Sequence, residues 1–182
     1  MRGFWVFILT LIISCNSTIT DQGFYHKAEA KNEMVNGVKE GKWVEYLDST
    51  YRITKDTNSP FFRLVIYNTG KPIGIARDYL KNGKLMLELP YVNGKPNGVE
   101  KTYYESGKLE SEIPLVDGKA NGVEKTYYEK GTIEFEYPFT NGKENGVEKW
   151  YGDNGKLWRE TTYVNGVANA IKDYDSTGHE IK

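Results

Sequence analysis

One stretch of the sequence decides the fold: it runs from Val92 to Val147 and reads VNGKPNGVEKTYYESGKLESEIPLVDGKANGVEKTYYEKGTIEFEYPFTNGKENGV. The same residue types return every 24 positions, as shown by Gly94, Gly118, Gly142 and Gly166, and by Tyr103, Tyr127 and Tyr151. A chain with such a period is built from stacked copies of one small unit, because a single copy cannot bury its own apolar side chains. The fold is therefore predicted to be a repeat array.

Each copy is predicted to form a β-hairpin. In the copy that begins at Gly94, the strands Val99 to Tyr104 and Lys108 to about Leu115 flank the turn dipeptide Ser106-Gly107. Asn-Gly holds the same place in other copies, and this dipeptide is typical of two-residue hairpin loops. Such a loop predicts three facing pairs: Tyr104 with Leu109, Tyr103 with Glu110, and Lys101 with Glu112.

The same register predicts different chemistry on the two faces of the sheet. One face would carry a ladder of ion pairs, each contributing ~0.2–1 kcal/mol: Arg77 with Glu88, Lys101 with Glu112, Lys125 with Glu136, and Lys149 with Glu160. A set of glutamates copied four times is a poor candidate for general acid catalysis, which needs one special environment. The other face would be a half-buried apolar seam formed by Leu85, Leu87, Leu89, Tyr91, Leu109, Ile113, Leu115, Ile133, Phe135, Tyr137, Phe139, Leu157 and Tyr163.

We therefore predict an all-β protein: an elongated, twisted antiparallel meander of about six stacked hairpins, occupying residues 34–182. The step from Gly37 to Gly70 is 33 residues instead of 24, which indicates an inserted loop at residues 48–60. Such a loop is either a tolerated elongation or the part of the array that carries a specific function. The last copy, with Ala170 where others have glycine, is interpreted as a degenerate terminal cap.

The N-terminal residues, MRGFWVFILTLIISC, indicate export. Arg2 precedes an apolar run from Phe4 to Ile13, which is too short to cross a hydrocarbon core about 30 Å thick but suits a signal peptide. The ending resembles a bacterial lipobox, so we predict a signal peptide at residues 1–14, lipidation of Cys15 and a lipid-anchored tether at residues 15–33. The alternative is an ordinary signal peptide in which Cys15 is a plain thiol. No aspartate follows Cys15, which favours the outer membrane over the inner one.

The first copy, Gly37-Val38-Lys39-Glu40-Gly41-Lys42-Trp43-Val44-Glu45-Tyr46, combines a glycine-bounded turn with a strand of the type Trp/Tyr-x-x-Tyr. With its later copies it resembles the MORN-repeat proteins, named for membrane occupation and recognition nexus, over about residues 36–182. Within these it is similar to a bacterial variant often labelled as an antitoxin component. The resemblance implies a β-hairpin array used for binding or scaffolding through lipid or protein contacts.

The candidate binding residues are aromatic: Trp43, Tyr46, Tyr79, Tyr103, Tyr127, Tyr151, Trp150 and Trp158. Trp150 and Trp158 replace a threonine and a glutamate of the earlier copies, and the predicted register places Trp158 opposite Tyr151 on the charged face. Such a pair either binds a partner or packs beneath the last copy. No catalytic residue, metal ligand or cofactor site is predicted, because the two histidines, His26 and His179, lie at opposite ends of the array.

These features predict a non-enzymatic, membrane-anchored lipoprotein of the bacterial envelope that binds a protein or glycan through its tyrosine-rich face and the 48–60 loop. With 24 basic against 25 acidic residues, no basic field is available to bind nucleic acid. The alternative function is that of an antitoxin-like protein that neutralises a partner toxin.

Overall fold

The computed structural model describes residues 23–181, so the predicted signal peptide and Cys15 lie outside the described residues. One turn of 3-10 helix, Lys27–Glu29, precedes 17 strands. The strands are β1 (Glu33–Val35), β2 (Val38–Leu47), β3 (Ile53–Thr54), β4 (Phe61–Asn68), β5 (Lys71–Leu80), β6 (Leu85–Val92), β7 (Lys95–Pro96), β8 (Gly98–Tyr103), β9 (Leu109–Val116), β10 (Lys119–Ala120), β11 (Gly122–Tyr127), β12 (Ile133–Thr140), β13 (Lys143–Glu144), β14 (Gly146–Tyr151), β15 (Leu157–Val164), β16 (Val167–Tyr174) and β17 (Glu180–Ile181). They pair antiparallel in one sheet, which confirms the predicted all-β meander.

The predicted hairpin register is confirmed in the middle of the strands, where Lys101 faces Glu112, and it is wrong beside the turns. Tyr103 faces Leu109, so Glu110 is left as a bulge. The loop has three residues instead of two, since the Tyr104 N–H donates to the Lys108 carbonyl at 2.9 Å. The extra loop residue and the bulge compensate each other, and the same central register follows at Arg77–Glu88, Lys125–Glu136 and Lys149–Glu160.

The two-residue loops occur instead at the links between copies. Val92 pairs with Lys95, and the intervening Asn93 and Gly94 have φ angles of 52° and 86°. Positive φ at both central residues defines the type I′ turn, which matches the twist of a hairpin and explains why Asn-Gly is favoured there. The same pair of positive φ angles recurs at Thr69-Gly70, Asp117-Gly118, Asn141-Gly142 and Asn165-Gly166.

Strand alternation produces two faces, which we call the Tyr–Glu face and the apolar face. We number the copies from their first glycine, so that copies three, four and five begin at Gly94, Gly118 and Gly142. In the third copy, Lys101, Tyr103 and Glu112 lie on the Tyr–Glu face, and Ile113 and Leu115 lie on the apolar face. The predicted apolar seam is wrong at one position in each of these copies, because the bulge moves that residue to the Tyr–Glu face. Those residues are Leu85, Leu109, Ile133 and Leu157, which face Tyr79, Tyr103, Tyr127 and Tyr151.

The buried core lies at the N-terminal end of the sheet and includes part of the predicted tether. Phe24 is 2% exposed and packs in one cluster with Phe62, Leu64 and Tyr79 on the Tyr–Glu face. The 3-10 turn follows, and β1 then pairs with the start of β2. The prediction of a tether extending to residue 33 is therefore wrong for residues 23–33, because the Phe24 side chain packs on the sheet and Glu33 pairs with β2.

The inserted loop at residues 48–60 extends the outer edge of the sheet. β2 pairs with β4 on one side, and β3 pairs with Tyr46 and Leu47 of β2 on the opposite side. Further along this outer edge, the Asn32 side chain binds the main chain of Val44, accepting from its N–H at 2.8 Å and donating to its carbonyl at 3.1 Å. β2 is thus partly paired along its outer edge, which limits unwanted strand addition there.

Candidate binding surface

The tyrosines of the Tyr–Glu face join successive copies. Each hydroxyl donates to a glutamate of the preceding hairpin: Tyr103 to Glu88 at 2.7 Å, Tyr127 to Glu112 at 2.8 Å, Tyr151 to Glu136 at 2.9 Å, and Tyr174 to Glu160 at 2.7 Å. Burial, followed by these hydrogen bonds, raises the pKa of Tyr127 and of Tyr151 to about 12. The candidate binding residues Tyr103, Tyr127 and Tyr151 are therefore used to hold the array together.

The predicted ladder of ion pairs is largely replaced by these tyrosine bonds. Arg77 pairs with Glu88 at 2.8 Å. Within residues 23–181 the lysines at the equivalent positions, Lys101, Lys125 and Lys149, form no ion pair with the glutamates they face. An exposed lysine gains little from such a pair and loses side-chain entropy in making it, whereas the rigid tyrosine ring already points its hydroxyl at the carboxylate.

The three candidate aromatic residues nearest the N-terminus belong to the covered end of the array. Tyr79 is 8% exposed and stacks on Phe62 with the ring centres 5.0 Å apart. Tyr46 packs against the same cluster, and the Trp43 Nε1 donates to the Glu40 carbonyl at 3.0 Å. Burial raises the pKa of Tyr79. Tyr79 and Tyr46 are consequently part of the core and its margin, whereas Trp43 lies on the opposite face with its ring 6.1 Å from that of Tyr67.

The tryptophan pair lies on the apolar face. The rings of Trp150 and Trp158 are 5.9 Å apart, and Trp150 also lies 5.1 Å from Phe135. The predicted pairing of Trp158 with Tyr151 is wrong, since Tyr151 faces Leu157 and Trp158 occupies the bulge position. Trp158 is 40% exposed, so the last copy does not cover it as the alternative prediction required.

A row of three glutamates on the first strands was missed from the sequence. Glu100 faces Ile113, Glu124 faces Tyr137 and Glu148 faces Thr161, so all three lie on the apolar face. Burial and then the charge of Asp78 raise the pKa of Glu100, and burial and then Glu100 raise the pKa of Glu124. The recurring tetrapeptide Gly-Val-Glu-Lys identifies this row in the sequence.

The described part of the chain offers little for metal chemistry or membrane crossing. Residues 23–181 contain no group of three or more histidine, cysteine, aspartate or glutamate residues able to hold a metal ion. Asp175, near the C-terminus, forms a turn in which its Oδ1 accepts from the main-chain N–H groups of Thr177 and His179 at 2.8 and 3.1 Å. Over the same described range, none of the helical structure is long and apolar enough to cross a bilayer.

The fold and this surface define a class of protein: an open array of β-hairpins with two exposed faces. Four consecutive copies match the family described as MORN repeat variant, over residues 72–93, 96–117, 120–141 and 144–165. The chain is a MORN-repeat protein, as the sequence predicted, and repeats of this family suggest a binding or scaffolding role. The first and last copies lie outside the matched residues.

Two further comparisons add little to this assignment. No curated protein matches the chain. Among solved structures, the one described as the crystal structure of TarM is 13% identical, with a TM-score of 0.37, and the alignment covers 53% of this chain and 19% of that chain. The alignment thus spans about a fifth of the TarM chain.

Proposed function

We propose that this protein is a lipid-anchored, non-enzymatic binding module of the bacterial cell envelope, which presents its hairpin array to a protein or glycan partner. The observation that carries the binding role is the apolar face of copies three to five. There the side chains of Ile113, Leu115, Phe135 and Tyr137 are only half-buried, because no second layer of residues 23–181 covers them. An apolar surface of this kind is a common feature of binding sites.

The anchoring role rests on the N-terminal sequence up to Cys15. Lipid chains contribute roughly 0.8 kcal/mol per buried methylene, so several chains on one cysteine hold a protein at a membrane without a spanning helix. The outer membrane is favoured by Asn16, which stands where an inner-membrane lipoprotein would carry aspartate.

The packing of residues 23–33 sets the distance between anchor and array. Residues 16–22 are the seven that separate Cys15 from the described part of the chain. Seven extended residues reach at most about 25 Å. In this proposal the covered N-terminal end of the array therefore stays close to the membrane, and copies three to five extend from it.

The anchor is tested by fractionating cells that express the full-length chain and determining the mass of its N-terminal peptide. We expect a mature chain that begins at lipid-modified Cys15 in the outer-membrane fraction. The Cys15→Ser variant should lack the modification and should be absent from that fraction. An unmodified chain that begins at Met1 in the cytoplasm would contradict the proposal and agree with the antitoxin-like alternative.

The binding role is tested separately with the purified full-length chain in detergent. Envelope proteins and glycans are offered to the unmodified chain, to a Tyr137→Ser, Phe139→Ser variant of the apolar face, and to a Val99→Ser, Val123→Ser control on the Tyr–Glu face. We expect a specific partner that the control retains and the apolar-face variant loses. Equal capture by all three proteins would count against this face.

A further inference from the structure

We propose that the apolar face of copies three and four binds a polyproline II segment of a partner protein that carries an arginine or lysine at every third residue, through the carboxylates of Glu100 and Glu124. This inference rests on the proposed function as a binding module and specifies the chemistry of one partner.

Within residues 23–181, no cation is paired with either of these two carboxylates. Among residues 23–181, neither Glu100 nor Glu124 takes part in an ion pair or a side-chain hydrogen bond. Each is half-buried beside an apolar or aromatic residue, Ile113 or Tyr137. A partly desolvated carboxylate is disfavoured in its charged form, and a cation brought by a partner removes that penalty.

The spacing of the two carboxylates matches a polyproline II helix. Glu100 and Glu124 hold the same position in successive hairpins, two strands apart, which places them about 9.6 Å from each other. A polyproline II helix rises 3.1 Å per residue with three residues per turn, so its every third side chain points the same way at intervals of about 9.3 Å. An extended β-strand presents same-side residues every ~6.7 Å, and two turns of an α-helix span about 10.8 Å. The polyproline II period is the closest match.

The positions on either side of Glu100 and Glu124 are not open to a cation. Glu148, the next position, is 3% exposed and accepts a hydrogen bond from the Trp150 indole, so it is already satisfied. On the other side, Asp78 is held by Arg63 through two hydrogen bonds of 2.7 Å, and the position equivalent to Glu100 is the buried Ala76. The surface therefore has two positions for a cation.

The surroundings also suit a proline-rich segment. Polyproline II helices are preorganised and dock on surfaces lined with aromatic side chains. Here Tyr137 stacks on Phe139 with ring centres 5.5 Å apart and meets Tyr163 at 6.0 Å. The carboxylates of Glu100 and Glu124 thus alternate with Ile113 and Tyr137 along the same face, and the aromatic rings lie beside Glu124. Carboxylates beside apolar and aromatic side chains suit a cationic, proline-rich chain.

The test is a titration of the purified protein with labelled thirteen-residue peptides at low and at physiological salt. The matching peptide repeats Pro-Pro-Arg; the controls have the same composition with arginines four apart, the repeat Pro-Pro-Glu, and a helical peptide with arginines seven apart. Protein variants are Glu100→Gln, Glu124→Gln and the control Glu105→Gln, which changes an exposed carboxylate in a hairpin loop. Circular dichroism verifies that each variant is folded.

We expect the matching peptide to bind more tightly than every control peptide. Glu100→Gln and Glu124→Gln should each weaken it about fivefold, and Glu105→Gln should change it by less than about twofold. Equal binding of the shifted arginines, tighter binding of the helical peptide, or no effect of the two glutamine variants would each overturn the inference. The inference would also be overturned if the protein self-associates in sedimentation experiments and the same two variants abolish that self-association.

The two proposals fail in different ways. If no basic peptide binds while envelope partners are still captured through Tyr137 and Phe139, this inference is wrong and the proposed function stands. If Cys15 is unmodified, the anchoring proposal is wrong, while the peptide titration is unaffected because it uses protein in solution.

Discussion

Residues 23–92 and residues 93–181 use the same hairpin unit but differ in how it is covered. In the first region, seven apolar side chains are at most 8% exposed, among them Phe24, Leu64 and Ala76. In the second region, the side chains buried to that degree are polar, Glu148 and Thr161. Phe24 supplies a second layer over Phe62, Leu64 and Tyr79 on the Tyr–Glu face, whereas no described segment covers the later copies in this way. Leu47, Val65 and Ala76 are buried on the other face. A core in this fold therefore depends on what is added to the repeats.

Neighbouring strands of successive copies are also paired at more positions in the first region than in the second. β4 pairs with β2 and with β5 at seven positions each. In the later copies β9 and β11 pair at two positions, as do β12 and β14, although each hairpin has six pairs within it. β10 adds two pairs to β9, and β13 adds two pairs to β12. Copies three to five are therefore joined by fewer ladder pairs than the first copies, and also by the tyrosine hydroxyls and by turn contacts such as Gly118 N–H to the Pro96 carbonyl at 2.8 Å. Stability in such arrays is local, so the later copies should open first.

The largest effect should come from removing the side chain that covers the first copies. Phe24→Ala should lower the free energy of unfolding by about 3–5 kcal/mol, since Phe24 is 2% exposed and its loss leaves a cavity above Phe62 and Tyr79. Phe139→Ala, the same change on the half-buried apolar face, should cost about 1 kcal/mol. Urea unfolding followed by circular dichroism measures both, and equal losses would contradict the comparison of the two regions.

A smaller effect should follow from the hydroxyl of Tyr127. Tyr127→Phe removes its bond to Glu112 and should cost about 0.5–1.5 kcal/mol at pH 8. The folded protein raises the pKa of Tyr127 to about 12, above its usual 10, so this contribution is complete below pH 10 and is lost as the pH rises from 10 to 12. The stability difference between wild type and variant should shrink at pH 11.

Tyr51→Phe provides the matched control for that experiment. The Tyr51 ring stacks on Phe61 at 4.6 Å, outside the series of tyrosine–glutamate bonds. Its substitution should change the stability by less than about 0.5 kcal/mol. A Tyr127→Phe variant as stable as Tyr51→Phe at pH 8 would show that the hydroxyl bonds do not join the copies.

The sequence predicted those features that depend on periodicity. Alternation and the 24-residue period are sufficient to place Arg77 opposite Glu88 and Lys101 opposite Glu112. They do not determine loop length, because Ser106-Gly107 suits both a two-residue loop and a three-residue loop with glycine at the positive-φ position. That one residue decides which face Leu109 occupies, so a local ambiguity became an error in the apolar seam.

The parts of the site that were missed depend on contacts between distant residues. Phe24 lies in a polar segment, and only its packing against the rings of Phe62 and Tyr79 makes it part of the core. Whether Glu112 bonds to Lys101 or to Tyr127 depends on the reach of each side chain across the sheet, which a register alone does not give. The row from Glu100 to Glu148 was visible in the sequence, but its burial follows from the surrounding copies.

The smallest effect should come from a carboxylate on the apolar face. Glu124→Gln should raise the free energy of unfolding by about 0.5 kcal/mol at pH 7, a small value because solvent screens a half-exposed group. Burial raises the pKa of Glu124 in the folded protein, so its charged form is disfavoured at neutral pH. At about pH 4 and below, Glu124 of the wild type is largely protonated in both the folded and the unfolded protein. The gain in stability from Glu124→Gln should therefore vanish there. Thermal unfolding at the two pH values measures this, with the exposed Glu105→Gln as control; equal gains for both variants would mean that the apolar face does not desolvate its glutamates.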